Sequence, residues 1–269
     1  MKKGDITRIS TDYGIFAGKA VVIANIPIAL ATAMSSAVIP SISEACAQGD
    51  YEGAREKVAK AIKTTMLISI PAAVGIGVLA KPVTWLLYPQ KSSIDMAAGL
   101  LTALAVSIIF FALSTLTNSV LQGIGRVNTP VIHSAAALCC QTLALFLLLH
   151  FTEMNLYSLV IANIVYSFVM CLLNQIAVRK YLDYEQEVVR TYLIPLLASL
   201  FMGALAWAVY QGLYLLTSSN VLSLFPAILL GAVLYFALMI LLKGLTEEEI
   251  KGLPKGHLLL RAARKMKLL

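Results

Sequence analysis

Few residues of this chain have a type and spacing that could carry out a reaction. The four cysteines include no C-x-x-C pair, the three histidines stand far apart, and no glycine-rich phosphate-binding loop is present. These patterns argue against a metal centre, an ATP-driven pump and a nucleotide-dependent enzyme. The sequence therefore predicts no catalytic residue, no metal site and no cofactor, and the net charge of +7 needs no nucleic-acid partner to explain it.

The chemistry that remains is hydrogen bonding by uncharged polar side chains inside long apolar runs. The set comprises Asn25, Ser35, Ser36, Asn118, His133, Gln141, Asn163, Asn174 and Gln175. At membrane depth a polar side chain either joins two helices or lines a pathway. Gln141 and Asn163 lie nearest the middle of their runs, so we take them, with Asn25, as candidates for a substrate cavity. His133 lies near the start of its run and is predicted to be interfacial.

Three prolines also fall inside apolar runs. Pro27, Pro71 and Pro226 each lack a backbone donor and crowd the preceding turn, so each is predicted to kink a helix. Kinked helices with polar interior positions are more typical of a carrier than of a rigid scaffold.

The composition places these residues in a membrane protein. The 269 residues are 59% hydrophobic and 13% charged, whereas soluble domains average about 45–50% apolar and about 25% charged residues. Seven runs approach or exceed the roughly 20 residues that a membrane-crossing helix needs: residues 20–43, 64–88, 97–125, 127–152, 154–178, 191–216 and 221–242. The runs lack the alternation of barrel strands. The predicted fold is an all-α integral membrane protein with about seven transmembrane helices.

Three segments are predicted to lie outside the lipid. Residues 1–19 form an N-terminal segment, residues 50–63 form an amphipathic helix with one apolar stripe, and residues 243–269 form a basic amphipathic tail. The tail could lie on an anionic leaflet, although an ordinary charged tail explains the same pattern.

The distribution of basic residues predicts the orientation. Of the 21 Lys and Arg residues, fifteen fall on the side of the C-terminal tail and six on the other side. Because cytoplasmic segments carry the excess of positive charge, the tail and residues 50–63 are predicted to be cytoplasmic. Residues 1–19 are then extracytoplasmic. The first run has four basic residues on either side, which is typical of an interior helix of a longer protein.

Two blocks of sequence resemble a known family. Ile26–Ala31, Ala37–Glu44 and Gln48–Asp50 are similar to the eighth span and following loop of polysaccharide-export flippases, and Leu121–Arg126 with Thr129–Pro130 is similar to a later turn. These flippases belong to the multidrug/oligosaccharidyl-lipid/polysaccharide exporter (MATE-like) superfamily. The subgroup that the chain most resembles is the stage V sporulation protein B-like proteins, which are relatives of the MurJ lipid II flippases.

The resemblance implies both an architecture and a substrate. Family members have about fourteen spans in two lobes, so the seven runs here would correspond to the eighth to fourteenth spans, the C-terminal lobe, with the N-terminal lobe absent. The implied substrate is a polyprenyl-diphosphate-linked sugar or peptidoglycan precursor in the bacterial plasma membrane, moved by alternating access. In relatives, one of the cavity arginines lies near the start of the eighth span, and Lys19 is the candidate for that role here. An interfacial lysine that extends to the lipid headgroups would occupy the same position.

Two alternatives stay open at this stage. The chain could be half of a cation-coupled multidrug antiporter, although its acidic residues can all be placed outside the runs and such antiporters commonly carry an intramembrane carboxylate. It could also be a membrane subunit that transports nothing. A membrane-embedded enzyme is disfavoured because no catalytic cluster appears in the loops.

Overall fold

The structure, a computed structural model, describes residues 3–88 and 93–245, and every regular element within these ranges is a helix. Seven helical stretches are long and apolar enough to cross a membrane, which confirms the prediction of an all-α integral membrane protein. They are Ile9–Ala47, Tyr51–Val78, Ile94–Gly123, Asn128–Phe151, Leu156–Leu182, Val189–Thr217 and Asn220–Leu241.

The first helix is much longer than the apolar run that predicts it. α1 (Lys3–Ile15) passes through a π-helical turn (Phe16–Ala20) into α2 (Val21–Ala47) without a break. At a rise of about 1.5 Å per residue, the 39 residues of the spanning stretch extend over about 58 Å, well beyond a hydrocarbon core of about 30 Å. Most of the predicted segment 1–19 is therefore helical, and its extracytoplasmic position stays a prediction.

Two residues build the turn between α2 and α3 (Tyr51–Val78). Gly49 adopts a left-handed conformation with φ 75°, and the amide of Asp50 donates to the carbonyl of Ala45 at 2.9 Å, which closes the end of α2. The Asp50 carboxylate then accepts a hydrogen bond from the amide of Gly53 at 2.9 Å and caps the start of α3. This geometry accounts for the glycine and aspartate in the first block of the family resemblance.

The second span differs from its prediction. One continuous α3 replaces the separate amphipathic helix over 50–63 and the first part of the span over 64–88. The helix ends because the ring of Pro82 would meet the carbonyl of Val78 if it continued. A short helix, α4 (Ala80–Leu87), follows and holds this proline in its first turn, where it is tolerated. The apolar stripe itself is buried, as its pattern indicates: Ala54, Val58, Ala61 and Ile62.

Asp50→Ala is expected to lower the free energy of unfolding by about 1 kcal/mol, because an alanine cannot accept the Gly53 amide. Asp50→Asn keeps a side-chain acceptor and is expected to remain near the wild-type value. Unfolding in mixed detergent micelles, followed by circular dichroism, measures the difference. An equal loss in both variants would contradict the capping role, because it would indicate an effect of charge.

α5 (Ile94–Gly123) is the centre of the first of two compact units, which extends to Glu185. It packs against α2, α3, α4 and α7 (Leu156–Leu182). Its largest fully buried side chains are Leu100, Leu101, Leu104, Ile108, Leu116 and Leu121. Because α5 is enclosed on several sides, its sequence is apolar around most of the helix.

α6 (Asn128–Phe151) lies at the margin of this unit. It packs mainly on α7, and only Pro130 and Ala137 are buried. The turn that leads into α6 is closed by Gly125, which has φ 79°, and by a hydrogen bond from the amide of Arg126 to the carbonyl of Leu121 at 2.8 Å. The adjacent Gly125 and Arg126 in the second block of the family resemblance thus form a helix-ending turn.

The second compact unit begins at Gln186, and its long helices up to Leu245, where the described residues end, form a two-helix hairpin. α8 (Ile194–Thr217) follows a π-helical turn, and α9 (Asn220–Leu241) packs along it. A Cβ added at Gly231 would lie 3.3 Å from the Cβ of Ala206, so the two backbones approach closely. Small residues at a helix contact are the usual basis of such packing in membranes.

The ends of the five remaining spans agree with their predictions to within about one helical turn. The predicted basic tail over 243–269 lies, beyond Leu245, outside the described residues. The predicted orientation of the chain in the membrane stays a prediction.

Candidate substrate-facing surface

One side of α2 is exposed along the whole helix and consists mainly of small and polar residues. The small and polar residues on this side are called the α2 face: Asn25, Ala29, Thr32, Ala33, Ser36, Ala37 and Pro40. The larger exposed side chains of α2, Val22, Ile26 and Leu30, lie only in its first half. The hydroxyls of Thr32 and Ser36 donate to carbonyls of their own helix, so the face is polar without needing a partner.

The exposed side of α6 carries more large apolar side chains, among smaller ones such as Ala135 and Ala136. Its large exposed side chains are Val131, Ile132, Leu138, Leu143, Phe146, Leu147, Leu149 and Phe151. Large apolar side chains suit contact with acyl chains, whereas small and polar ones suit another helix or a water-lined cavity. We therefore expect α6 to face lipid and α2 to face a polar space.

The three predicted amide candidates keep free hydrogen-bonding capacity. Asn25 is exposed on the α2 face, while Gln141 on α6 and Asn163 on α7 are half-buried. Within the described part of the chain, none of the three side chains makes a hydrogen bond, and no such bond joins them to one another. Their role in a substrate cavity stays a prediction.

Lys19 lies in the π-helical turn and contacts Tyr88, which follows α4, and Ser93, which precedes α5. Its Nζ donates to the hydroxyl of Ser93 at 2.8 Å and lies 5.4 Å from the centre of the Tyr88 ring. The Tyr88 hydroxyl donates to the carbonyl of Gly18 at 3.0 Å, within the same π-helical turn. Such turns shift the backbone hydrogen-bond register and often occur at functional sites. The Tyr88 bond joins this turn to the end of α4, and the contacts with Ser93 and Tyr88 position the Lys19 ammonium.

Tyr88→Phe is expected to lower the free energy of unfolding by about 1 kcal/mol, because the Gly18 carbonyl loses its side-chain donor. Backbone amides of residues 16–20 should exchange faster with solvent in this variant. Tyr13→Phe, on the exposed side of α1, is the matched control and should leave both quantities unchanged. Unchanged exchange in Tyr88→Phe would contradict the proposed stabilisation of the turn.

A buried polar cluster joins α5, α6 and α7. Asn174 is fully buried, and its Oδ1 lies 2.8 Å from Nδ1 of His133. Its Nδ2 donates to Oδ1 of Asn118 at 2.7 Å and to the carbonyl of Ser114 at 3.3 Å. His133 is half-buried and lies near the start of α6. Its ring also pairs with Asn174 of α7. The sequence places all three side chains in apolar runs but gives no sign that they meet.

The hydrogen-bond partners determine which atoms of this cluster donate and which accept. The Ser114 carbonyl can only accept, so the Asn174 amide nitrogen must point to it and Oδ1 must point to His133. His133 therefore carries its proton on Nδ1 when the ring is neutral. Each side chain of the cluster has a defined donor or acceptor role, which makes it a structural connection between helices.

All three predicted kink prolines lie inside helices. Pro27 is in α2, Pro71 in α3 and Pro226 in α9, and α2 contains a further proline, Pro40. An internal proline leaves the carbonyl four residues earlier without its helical partner. The kinks themselves stay predictions.

The fold and this surface define a class of protein: a multi-pass membrane protein in which one helix exposes a polar face, as in transporters. Residues 17–231 match the family described as lipid II flippase MurJ. The chain belongs to this family, which is part of the multidrug/oligosaccharidyl-lipid/polysaccharide exporter superfamily and comprises transporters rather than catalysts. The predicted family resemblance is confirmed.

Two relatives from Bacillus subtilis (strain 168) align with the chain. The protein named lipid II flippase MurJ is 32% identical over 108 residues, which are 40% of this chain and 20% of the relative. The protein named uncharacterized membrane protein YabM is 23% identical over 241 residues, which are 87% of this chain and 44% of the relative. The chain thus spans less than half the length of these relatives.

Proposed function

We propose that this chain forms the C-terminal lobe of a flippase for a lipid-linked cell-wall precursor of the lipid II type, in the bacterial plasma membrane. The family match over residues 17–231 supports the substrate class. The proposed substrate is a polyprenyl diphosphate that carries a sugar or peptidoglycan headgroup. Its tail stays in lipid while its headgroup crosses, so the protein must supply a polar route across the membrane.

The α2 face is the observation that carries the proposal. A hydrated headgroup needs hydrogen-bonding groups and room, and the face supplies both through Asn25 and a row of small side chains. Gln141 and Asn163 are the proposed additional cavity residues. A diphosphate is bound best by a cation held in place. Lys19, whose ammonium contacts Ser93 and Tyr88, is the proposed cation.

Translocation is proposed to need a second lobe. In alternating access two bundles rock about a site between them, and the α2 face would then meet the N-terminal lobe. The predicted orientation, with the N-terminus outside and the C-terminus cytoplasmic, completes the proposal. The chain alone is expected to be unable to move the substrate.

Growth of cells depleted of their native lipid II flippase tests this function. A fusion of this chain to the N-terminal lobe of the Bacillus subtilis protein named lipid II flippase MurJ is expected to restore growth. The chain alone is not expected to do so. A fusion that reaches normal membrane levels without restoring growth would contradict the proposal. Sodium- or proton-dependent dye efflux by the same fusion would instead support a multidrug antiporter.

A further inference from the structure

Two cations converge on one aromatic ring where α6 begins and α7 ends. The guanidinium carbon of Arg126 lies 4.5 Å from the centre of the Tyr181 ring, and Nζ of Lys180 lies 6.0 Å from the same centre. We call Arg126, Lys180 and Tyr181 the basic cluster. Both cations are exposed.

Both basic residues lie at helix ends with a defined backbone. Arg126 follows the left-handed Gly125, and its amide closes α5 by the hydrogen bond to Leu121. Lys180 lies in the last turn of α7. The two helix ends therefore bring the Cα atoms of both basic residues close enough for their side chains to reach one ring.

The basic cluster has no internal counter-ion in the part of the chain that the structure describes. Neither Arg126 nor Lys180 has a carboxylate within ion-pair distance there. By contrast, the neighbouring Arg179 pairs with Glu185 at 3.7 Å, and Lys81 pairs with Asp95 at 2.6 Å. Two unneutralised cations beside one ring form a site complementary to an anion.

Exposed apolar side chains lead away from both cations. On α6 they follow Arg126 at intervals of about four residues: Val127, Val131, Ala135 and Leu138. On α7 they precede Lys180 at the same interval: Phe168, Leu172 and Ile176. The two tracks lie on helices that pack together, and each ends at a cation of the basic cluster. A phospholipid has the same order of groups, with two acyl chains below one phosphate.

We infer that the basic cluster binds the headgroup phosphate of an anionic phospholipid whose acyl chains lie along the two tracks. The aromatic ring suits this position, because tyrosine concentrates at the level of lipid headgroups. A free phosphate ion would use the cations but would gain nothing from the apolar tracks. The site is formed by α6 and α7, and it is separate from the α2 face.

Lipid retention tests the site. The protein is reconstituted in nanodiscs of phosphatidylcholine with a minor fraction of phosphatidylglycerol, extracted in mild detergent and analysed by native mass spectrometry. The wild-type chain is expected to retain phosphatidylglycerol preferentially. Since each basic residue near an anionic surface contributes roughly a fivefold gain in binding, the double variant Arg126→Gln/Lys180→Gln should bind it about thirty-fold more weakly.

A charge-matched double variant separates this site from general attraction. Lys60→Gln/Lys243→Gln removes two exposed cations elsewhere and is expected to retain phosphatidylglycerol as the wild type does. Equal loss in both double variants, or no preference for phosphatidylglycerol in the wild type, would overturn the inference. Displacement of the lipid by millimolar inorganic phosphate would also overturn it, because it would show a site for a free anion. Circular dichroism confirms that each variant is folded.

Discussion

Asn174→Leu is expected to lower the free energy of unfolding by about 2 kcal/mol, the largest effect on stability that the structure indicates. The substitution removes the shared partner of His133, Asn118 and the Ser114 carbonyl. A hydrogen bond between membrane helices contributes about 0.6 kcal/mol on average and at most about 1.7. His133 and Asn118, left without this hydrogen-bond partner, add the cost of unsatisfied polar groups. Unfolding in mixed micelles measures the loss.

Gln175→Leu is the matched control at the adjacent position. The amide nitrogen of Gln175 is buried and has no hydrogen-bond partner within the described residues. Replacing it with leucine removes an unsatisfied donor, so the variant is expected to be as stable as the wild type or slightly more so. If Asn174→Leu destabilised the protein no more than Gln175→Leu, the cluster would not join the three helices.

Ala33→Leu is expected to reduce translocation by at least about tenfold while leaving the amount of folded protein unchanged. Ala33 is exposed at the middle of the α2 face, and a leucine there would narrow the proposed headgroup route and hinder close contact with a second lobe. An increase of about 1.4 kcal/mol in the activation free energy of translocation corresponds to a tenfold lower rate. The fusion protein in flippase-depleted cells is the system in which we would measure it.

The control for this effect is the same substitution on α6, the helix that we expect to face lipid. Ala136 is exposed on α6. Ala136→Leu is expected to leave translocation unchanged, because fluid acyl chains can accommodate a larger apolar side chain. Equal losses in Ala33→Leu and Ala136→Leu would contradict the assignment of the two helices to different surroundings.

The spans could be predicted from sequence because hydrophobic length decides them. Apolar runs give seven helices at close to the observed bounds, since only internally bonded backbone is tolerated in lipid. The errors occur where a local rule competes with hydropathy. Lys19 does not end the first helix, because a charged residue can extend beyond the hydrocarbon, and Pro82 ends the second span before its apolar run ends.

The contacts of the polar residues could not be predicted in the same way. Asn174 meets side chains 41 and 56 positions away along the chain, and such pairing depends on how the helices are rotated. Asn25, Gln141 and Asn163 resemble Asn174 in sequence, yet they make no such bonds among the described residues. A single sequence reports depth in the membrane but not which face of a helix is turned toward a neighbour.

The most direct test of the proposed function measures lipid II on the outer surface of cells depleted of their native flippase. A membrane-impermeant probe would label the exposed precursor in cells that express the fusion protein, its Ala33→Leu variant or its Ala136→Leu variant at matched membrane levels. We expect strong labelling with the fusion and with Ala136→Leu, and weak labelling with Ala33→Leu. Labelling at the depleted background with the fusion, or equal labelling with all three proteins, would contradict the proposal.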